Sequence, residues 1–179
     1  LKELKEGDEA ILILDKSPFY AESGGQVGDS GYIKTKDAKF HVQDTLKIKK
    51  NVFGHIGVLE SGSLKCNEQV EALIDEHRRN DIKRNHSVTH LLHKALKIVL
   101  GDHVEQKGSL VDNLKTRFDF SHTKPISNDE IQQIESIVNN EILTNKVTTT
   151  EMMSIDKAKE SGALMLFGEK YDSEVRVLN

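Results

Sequence analysis

Short apolar runs separated by glycines fill the first part of the chain. Ala10 to Leu14 is continuously apolar, while Phe40-His41-Val42 and Val70 to Ile74 alternate or carry β-branched residues. Seven glycines fall between these runs at the spacing of turns, namely Gly24, Gly25, Gly28, Gly31, Gly54, Gly57 and Gly62. Closely spaced short strands of this kind predict a small β-barrel over residues 1–75.

A charged stretch from Asp75 to Asp81 interrupts the strand pattern, and we place a domain boundary between residues 75 and 76. Beyond it, apolar residues recur every three or four positions from about Asn85 to Leu100, which predicts an amphipathic helix. Gly101 follows as a plausible helix end. The apolar positions are Val88, Leu91, Leu92, Ala95, Leu96, Val99 and Leu100.

Strands and helices interleave in the rest of the chain. Two strands are expected between Gly108 and Phe120, and a second helix is expected to begin at Ser127 and run to about Asn145. Ser127 and Glu130 have the spacing of a capping box. A third helix is predicted near Ser154 to Glu160, followed by strands at Ala163–Phe167 and Val175–Leu178. Residues 76–179 therefore form an α+β domain in this prediction.

Composition narrows the class of protein. The chain has 179 residues, of which 30% are charged, and a net charge of −4. No apolar run approaches the roughly 20 residues of a membrane-spanning helix, and the mixed charges and periodic apolar residues exclude the disordered class. The single cysteine, Cys66, excludes a disulfide framework and favours a cytoplasmic location. We interpret Cys66 as a small buried residue.

The ends and the charge distribution add two expectations. The chain starts at Leu1 rather than Met and stops at Asn179 directly after a strand-like run, so we expect it to be a piece of a longer protein. Residues 76–122 carry nine basic and six acidic residues and most of the eight histidines. This basic middle indicates either a site for an anionic partner or a solvated helix face.

Two histidines carry the clearest chemical signal. His86 and His90 are four residues apart on the first predicted helix, about 40° apart around its axis. With His93, they are expected to point away from the apolar stripe. Two imidazoles one turn apart are a start for a Zn²⁺ site, although a solvated polar face fits the same spacing. Ser87 stands where the H-E-x-x-H protease motif needs its glutamate, which excludes that motif.

Other segments give weaker signals. The glycine-rich loop from Pro18 to Asp29 could approach a ligand closely or form a tight turn, and its lack of a phosphate-binding lysine and of G-x-G-x-x-G disfavours nucleotide binding. Gln106-Lys107-Gly108-Ser109 could bring an amide and a cation over the histidines, or simply connect helix to strand. Nothing resembles a nucleophile elbow.

Taken together, these segments resemble the editing region of the alanyl-tRNA synthetases. The resemblance covers nearly the whole chain in order, through several independent motifs. They are PFYAESGGQVGDSG (18–31), NHSVTHLLHKAL (85–96), QKGSLV (106–111), RFDFSH (117–122), GALMLFGEKY (162–171) and VRVL (175–178). Free-standing alanyl-tRNA editing proteins share the histidine helix and threonyl-tRNA synthetases carry a related one, but FYAESGGQ and LFGEKY favour the synthetases.

The resemblance implies a fold and an activity. The fold is a small β-barrel followed by an α/β editing core of the threonyl/alanyl-tRNA synthetase second-additional-domain type. The activity is zinc-dependent hydrolysis of tRNA(Ala) mischarged with serine or glycine. ATP-dependent attachment of alanine belongs to an upstream part of such a synthetase.

The resemblance also implies roles for particular residues. His86 and His90 match the first two zinc ligands of the family. The other two, a Cys and a His of a C-x-x-x-H motif, are expected shortly after Val175–Leu178 and thus beyond Asn179. Gln106 is expected to line the pocket and discriminate the aminoacyl group. Phosphate contacts to tRNA(Ala) are expected from Arg78, Arg79, Lys83, Arg84 and Lys107.

Two other interpretations stay open. A folded but catalytically inactive tRNA-binding module would also carry these residues, since two histidines alone hold zinc weakly. The third interpretation is a purely structural domain that orients its neighbouring domains. Metal content, hydrolysis of mischarged tRNA and the salt dependence of tRNA binding distinguish the three.

Overall fold

The computed structural model describes residues 2–147, 149–163 and 172–178, which fold into two compact units of mixed α and β structure. The first unit contains the residues up to His86 and also Leu110–Arg117. The second contains Ser87–Ser109 and the described residues from Phe118 onward. The boundary that we predicted between residues 75 and 76 coincides with the step from the last strand of a sheet into a long helix, and it stays a prediction as a domain boundary.

The first unit is built from antiparallel strands. Five of them pair in the order β2, β5, β4, β3, β7, and β1 pairs with β6. Phe40 and Val42 of β4 are fully buried, together with Ile33 of β3 and Leu59 of β5, which places the core on one face of the sheet. The strands are β1 Glu3–Lys5, β2 Glu9–Ile13, β3 Gly31–Lys34, β4 Lys39–Lys49, β5 Val52–Ser61, β6 Ser63–Lys65 and β7 Glu71–Ile74.

The prediction of a β-barrel is wrong for the described residues. Strands β2 and β7 form the two edges of the five-stranded sheet and do not pair with each other, so the sheet is open. Along β2 the side chains alternate, with Ile11 and Ile13 largely exposed. Apolar patterning indicates that a segment is a strand and which face it buries, but it does not determine which strands are neighbours.

Helix α1 spans Glu76–Leu100 and begins well before the predicted start near Asn85. The carboxylate of Asp75 accepts a hydrogen bond of 2.9 Å from the backbone N–H of Arg78, in the manner of an N-cap. Only Ile82 is a buried apolar side chain in the first turns. Because these turns are otherwise charged, the apolar periodicity that located the rest of α1 missed them.

The second unit has its own apolar core. Ala95 and Leu96 from α1, Val104, and Ile134 and Val138 from α2 are buried together, and Phe118 and Phe120 of β9 pack against them. β8 pairs with β9, and β10 pairs antiparallel with β11. The elements are β8 Gln106–Val111, β9 Thr116–Phe120, α2 Asn128–Thr144, β10 Thr150–Ser154, α3 Ile155–Glu160 and β11 Glu174–Leu178.

The predicted start of α2 is confirmed. Ser127 Oγ accepts a hydrogen bond from the backbone N–H of Glu130, and the Glu130 carboxylate accepts one of 2.8 Å from the backbone N–H of Ser127. α3 and β11 also lie close to their predicted positions. The predicted strand Ala163–Phe167 lies outside the described residues, except for Ala163.

Two further findings concern the exposure of Cys66 and the length and apolar content of the helices. Cys66 is exposed, so its interpretation as a buried residue is wrong. It follows the short strand β6 at a turn, where its backbone N–H donates to the carbonyl of Lys2. None of the helices in the described ranges has both the length and the apolar content needed to cross a membrane.

Candidate functional site

The glycine-rich loop of the first unit contains a tight hairpin. Ser23 and Gln26 exchange backbone hydrogen bonds of 3.2 and 3.0 Å across Gly24 and Gly25. Both glycines have positive φ, at 59° and 80°, which a two-residue turn of this kind requires and which glycine adopts at little cost. The turn therefore depends on the glycine pair and places Gln26 at its end.

The base of this loop is held by a buried ion pair. The Asp29 carboxylate is almost fully buried and accepts hydrogen bonds from the guanidinium of Arg79, with Nε at 2.8 and 2.9 Å from its two oxygens. It also accepts from the backbone N–H of Tyr20 at 2.6 Å. The hydrogen bond to Asp29 raises the pKa of Arg79. Since Arg79 belongs to α1, the pair ties the loop to the start of that helix.

Gln26 joins this loop to the first candidate zinc ligand. Its side-chain Oε1 lies 2.6 Å from Nδ1 of His86, and Gln26 is 6% exposed. Its neighbour Val27 donates its backbone N–H to the carbonyl of Val111, and Val111 donates to the carbonyl of Gly25. Burial lowers the pKa of His86 below its ordinary value, which favours the neutral imidazole.

His86 and His90 lie on the same helix, α1, one turn apart, as predicted from their spacing. Neutral imidazole nitrogen suits Zn²⁺, so both residues fit as donors. Among the described residues, no group of three or more His, Cys, Asp or Glu side chains is arranged to hold a metal ion. The described chain thus supplies at most two of the four ligands that a structural or catalytic zinc site would need.

His93 does not share the expected orientation. We expected it to point away from the apolar side of α1, but it is buried, with its ring 5.1 Å from that of Phe118. Burial lowers the pKa of His93, although a hydrogen bond to the backbone of Val104 acts in the opposite direction. Its Nε2 is buried without a hydrogen-bond partner among the described residues. Residues of the second unit therefore also cover the side of α1 that carries His93.

Gln106 opens strand β8 in the second unit. Its side-chain Oε1 is buried and has no hydrogen-bond partner among the residues that the structure describes. Leaving a buried acceptor unpaired costs roughly 1–3 kcal/mol. An unpaired amide oxygen in a folded protein is therefore a candidate contact for a ligand that donates hydrogen bonds.

The five basic residues predicted to contact phosphates all have partners within the protein or stand on its surface. Arg78 donates to the carbonyl of Gly28 at 2.8 Å, and Arg79 pairs with Asp29. Arg84 pairs with Asp81 and Lys107 with Glu105. Lys83, Arg84 and Lys107 are exposed, whereas Arg78 and Arg79 are partly buried. Contact with phosphate stays a prediction for all five.

The structure adds residues that the sequence patterns did not single out. Gln26 and Asp29 stood inside the loop that we had considered as a possible ligand contact, but no pattern indicated their partners 60 and 50 positions away. The signal available in the sequence was the placement of amide and carboxylate side chains between turn glycines, where a buried polar residue needs a fixed partner. His93 was visible only as a third histidine on the helix.

Comparison with known proteins identifies the relatives of this chain. A sequence profile described as tRNA synthetases class II (A) matches residues 1–78. The alanine–tRNA ligase of Delftia acidovorans is 59% identical over 179 residues, which is 100% of this chain and 20% of the ligase. Those of Polynucleobacter asymbioticus and Nitrosospira multiformis are each 58% identical over 175 and 176 residues, covering 98% of this chain and 20% of each ligase.

The chain therefore spans about a fifth of the length of the curated relatives that it matches. The similarity includes both compact units, because the alignment runs from one end of the chain to the other. Identity of this level over every described element, together with the motifs in the loop and on α1, shows that the chain belongs to the alanyl-tRNA synthetase family.

Proposed function

We propose that this chain is the editing region of an alanyl-tRNA synthetase and hydrolyses the ester bond of tRNA(Ala) mischarged with serine or glycine. The parent enzyme would attach alanine to tRNA(Ala) with ATP through other parts of its sequence, in the cytoplasm. The second unit would have the editing fold of the threonyl/alanyl-tRNA synthetase type. Membership of the family supports the parent activity. The two histidines one turn apart on α1 and the buried amide oxygen of Gln106 on β8 each support the editing role.

The Oε1 of Gln106, which is buried and has no hydrogen-bond partner within residues 2–147, 149–163 and 172–178, is the observation that carries the proposal. A serine esterified to tRNA differs from alanine by one hydroxyl group, which can donate a hydrogen bond to this oxygen. Alanine in the same position leaves the oxygen unpaired, as glycine would, so this contact accounts for recognition of the serine ester. A site built to pair with a substrate hydroxyl can reject the analogue that lacks it far more strongly than an apolar pocket can reject an extra hydroxyl.

His86 and His90 would hold Zn²⁺ in this proposal, with further ligands from outside the described residues. Bound zinc would supply a Lewis acid and a water of lowered pKa for ester hydrolysis. The chain's own contribution is to favour a neutral ring at His86 and to place the two histidines one helical turn apart. Burial favours the neutral ring at His86, and the continuous backbone of α1 sets the spacing.

The exposed cations would contribute affinity for tRNA without reading its sequence. Lys83, Arg84 and Lys107 stand on the surface. Arg78 and Arg79 would serve mainly to fix the loop on α1, because their guanidinium groups already bind the loop at Gly28 and Asp29. Replacing Lys83 with alanine should weaken binding by about the same factor for every RNA sequence. It should also reduce the slope of log K against log salt concentration by about 1.

Hydrolysis of Ser-tRNA(Ala) by the chain tests the proposal. We expect Gln106→Ala to lower the hydrolysis rate of Ser-tRNA(Ala) by about 10-fold or more. The variant loses one hydrogen bond to the substrate, and each addition of about 1.4 kcal/mol to the activation barrier lowers the rate tenfold. Gln133→Ala, a matched change at an exposed position of α2, should leave the rate unchanged. Equal rates for wild type and Gln106→Ala would remove Gln106 from the site.

A folded but inactive tRNA-binding module is the second candidate, and the presence of only two histidine donors among the described residues favours it. Metal content distinguishes the two. If the proposal is right, zinc binds the chain, and binds it more tightly when the chain is extended at its carboxyl end. His90→Ala should abolish this binding, while His77→Ala, at an exposed position of the same helix, should not.

A chain that binds tRNA but neither binds zinc nor hydrolyses Ser-tRNA(Ala) would support the inactive tRNA-binding module. Absence of tRNA binding at any salt concentration would leave a structural domain.

A further inference from the structure

We propose that Gln26 is a positioning residue that fixes His86 in the tautomer protonated at Nδ1. The Nε2 lone pair of His86 is thereby presented to a metal ion. This inference rests on the proposed function, because it assigns His86 the role of a zinc ligand. It adds a residue of the first unit to that role.

The hydrogen bond between the two side chains sets the tautomer. An amide oxygen can only accept, so the bond of 2.6 Å between Gln26 Oε1 and His86 Nδ1 requires the proton on Nδ1. In a neutral imidazole the second nitrogen then carries the lone pair, and here that nitrogen is Nε2. A lone pair is what a metal ion needs from a histidine, so the contact prepares His86 for coordination through Nε2.

The position of Gln26 is fixed by its backbone neighbours. The hairpin bonds with Ser23 hold its main chain on one side, and the bonds of Gly25 and Val27 with Val111 hold the chain on the other, at 2.7 and 3.1 Å. Residue 26 and Val111 form a parallel bridge. Gln26 is 6% exposed, so the residue has little contact with bulk solvent.

The same loop is anchored a second time through Asp29. Its carboxylate binds Arg79 of α1, two turns before His86 on that helix, and its backbone N–H donates to Tyr20. The loop therefore reaches α1 through the Asp29–Arg79 ion pair, through the hydrogen bond from Arg78 to the carbonyl of Gly28, and at His86. A rigid support of this kind is what a ligating histidine requires to keep its ring orientation.

The consequence for affinity follows from general metal-site chemistry. Histidines that bind metal commonly donate their other ring N–H to an acceptor, and loss of that acceptor typically costs 10–100-fold in metal affinity. Gln26→Met keeps the length of the side chain but removes the acceptor, and Gln26→Glu keeps an acceptor and adds charge. The exposed Gln43 of β4 offers a matched control, Gln43→Met.

Nitrogen NMR of the imidazole rings tests the tautomer in the metal-free chain, and a chelator-competition titration gives the zinc dissociation constant. We expect wild type to show a protonated Nδ1 and an unprotonated Nε2 at His86. Gln26→Met should populate the other tautomer and weaken zinc binding by about 10–100-fold. Gln26→Glu should keep the tautomer, and Gln43→Met should match wild type in both measurements.

The outcomes separate this inference from the proposed function. A proton on Nε2 of His86 in the wild-type chain would overturn the inference without any variant, so a failure of Gln26→Met to fold does not affect the test. An unchanged tautomer in a folded Gln26→Met variant would overturn it as well. The expected tautomer in a chain that binds no zinc would support the role of Gln26 and overturn the zinc site.

Discussion

Removal of the Arg79 charge should strongly destabilise the first unit. Asp29 is 2% exposed, and its carboxylate depends on the guanidinium of Arg79 and on the backbone N–H of Tyr20. Arg79→Met retains the apolar stem of the side chain and deletes the charge. The carboxylate is then left buried with one hydrogen bond from Tyr20, which is the situation in which breaking a buried ion pair costs about 3–5 kcal/mol.

A loss of this size should be easy to detect. Native domains are typically stable by about 5–15 kcal/mol, so about 3–5 kcal/mol is a large fraction of the total free energy of unfolding.

Urea unfolding followed by circular dichroism at pH 7 measures the effect. Asp29→Asn is the control, because it leaves Arg79 partly exposed and able to reach water; it should cost less than Arg79→Met. The double variant should cost less than the sum of the two single variants, since the residues are in direct contact. A loss below about 1 kcal/mol for Arg79→Met, or a larger loss for Asp29→Asn, would refute the reasoning.

Three other changes test separate parts of the fold. Ser127→Ala should cost about 1 kcal/mol in unfolding free energy through loss of the α2 N-cap, whereas Ser136→Ala should be nearly neutral; equal costs would contradict the cap. Gly57→Ala should lower the Tm by several degrees, because the added Cβ would lie 1.8 Å from the carbonyl oxygen of His41; an unchanged Tm would contradict this close approach. Burial lowers the pKa of His55, so the stability that neutral His55 contributes is present above pH about 6.5 and is lost as the pH falls. His55→Gln should therefore flatten the decline in unfolding free energy from pH 7 to pH 5. The same decline in wild type and variant would contradict this role of His55.

Local patterns predicted those elements whose signals lie close together in the sequence. The capping box of α2 needs only Ser127 and Glu130, three positions apart, and both of its hydrogen bonds are present. The first turns of α1 have no apolar stripe, because most of their residues are charged or polar. Their start was therefore placed too late, although the Asp75 cap was available as a signal.

Contacts between distant segments set the limit of prediction for the fold and for the candidate site. In the sheet, β3 pairs with β7, and β2 forms an open edge. The sequences of the individual strands do not specify which strands become neighbours. In the same way, the helix pattern located His86 and His90, but only the fold brings Gln26 to His86 across 60 positions. The burial of His93 against Phe118 likewise needed the position of β9.

Selectivity between correctly and wrongly charged tRNA tests the central claim most directly. The measurement is the ratio of the hydrolysis rates of Ser-tRNA(Ala) and Ala-tRNA(Ala) by the chain under identical conditions. A hydrogen bond from the serine hydroxyl to the buried Oε1 of Gln106 predicts a ratio well above 10 for wild type and a smaller ratio for Gln106→Ala. A ratio near 1 in wild type, or hydrolysis of neither substrate by a chain that binds zinc and tRNA, would contradict the editing function.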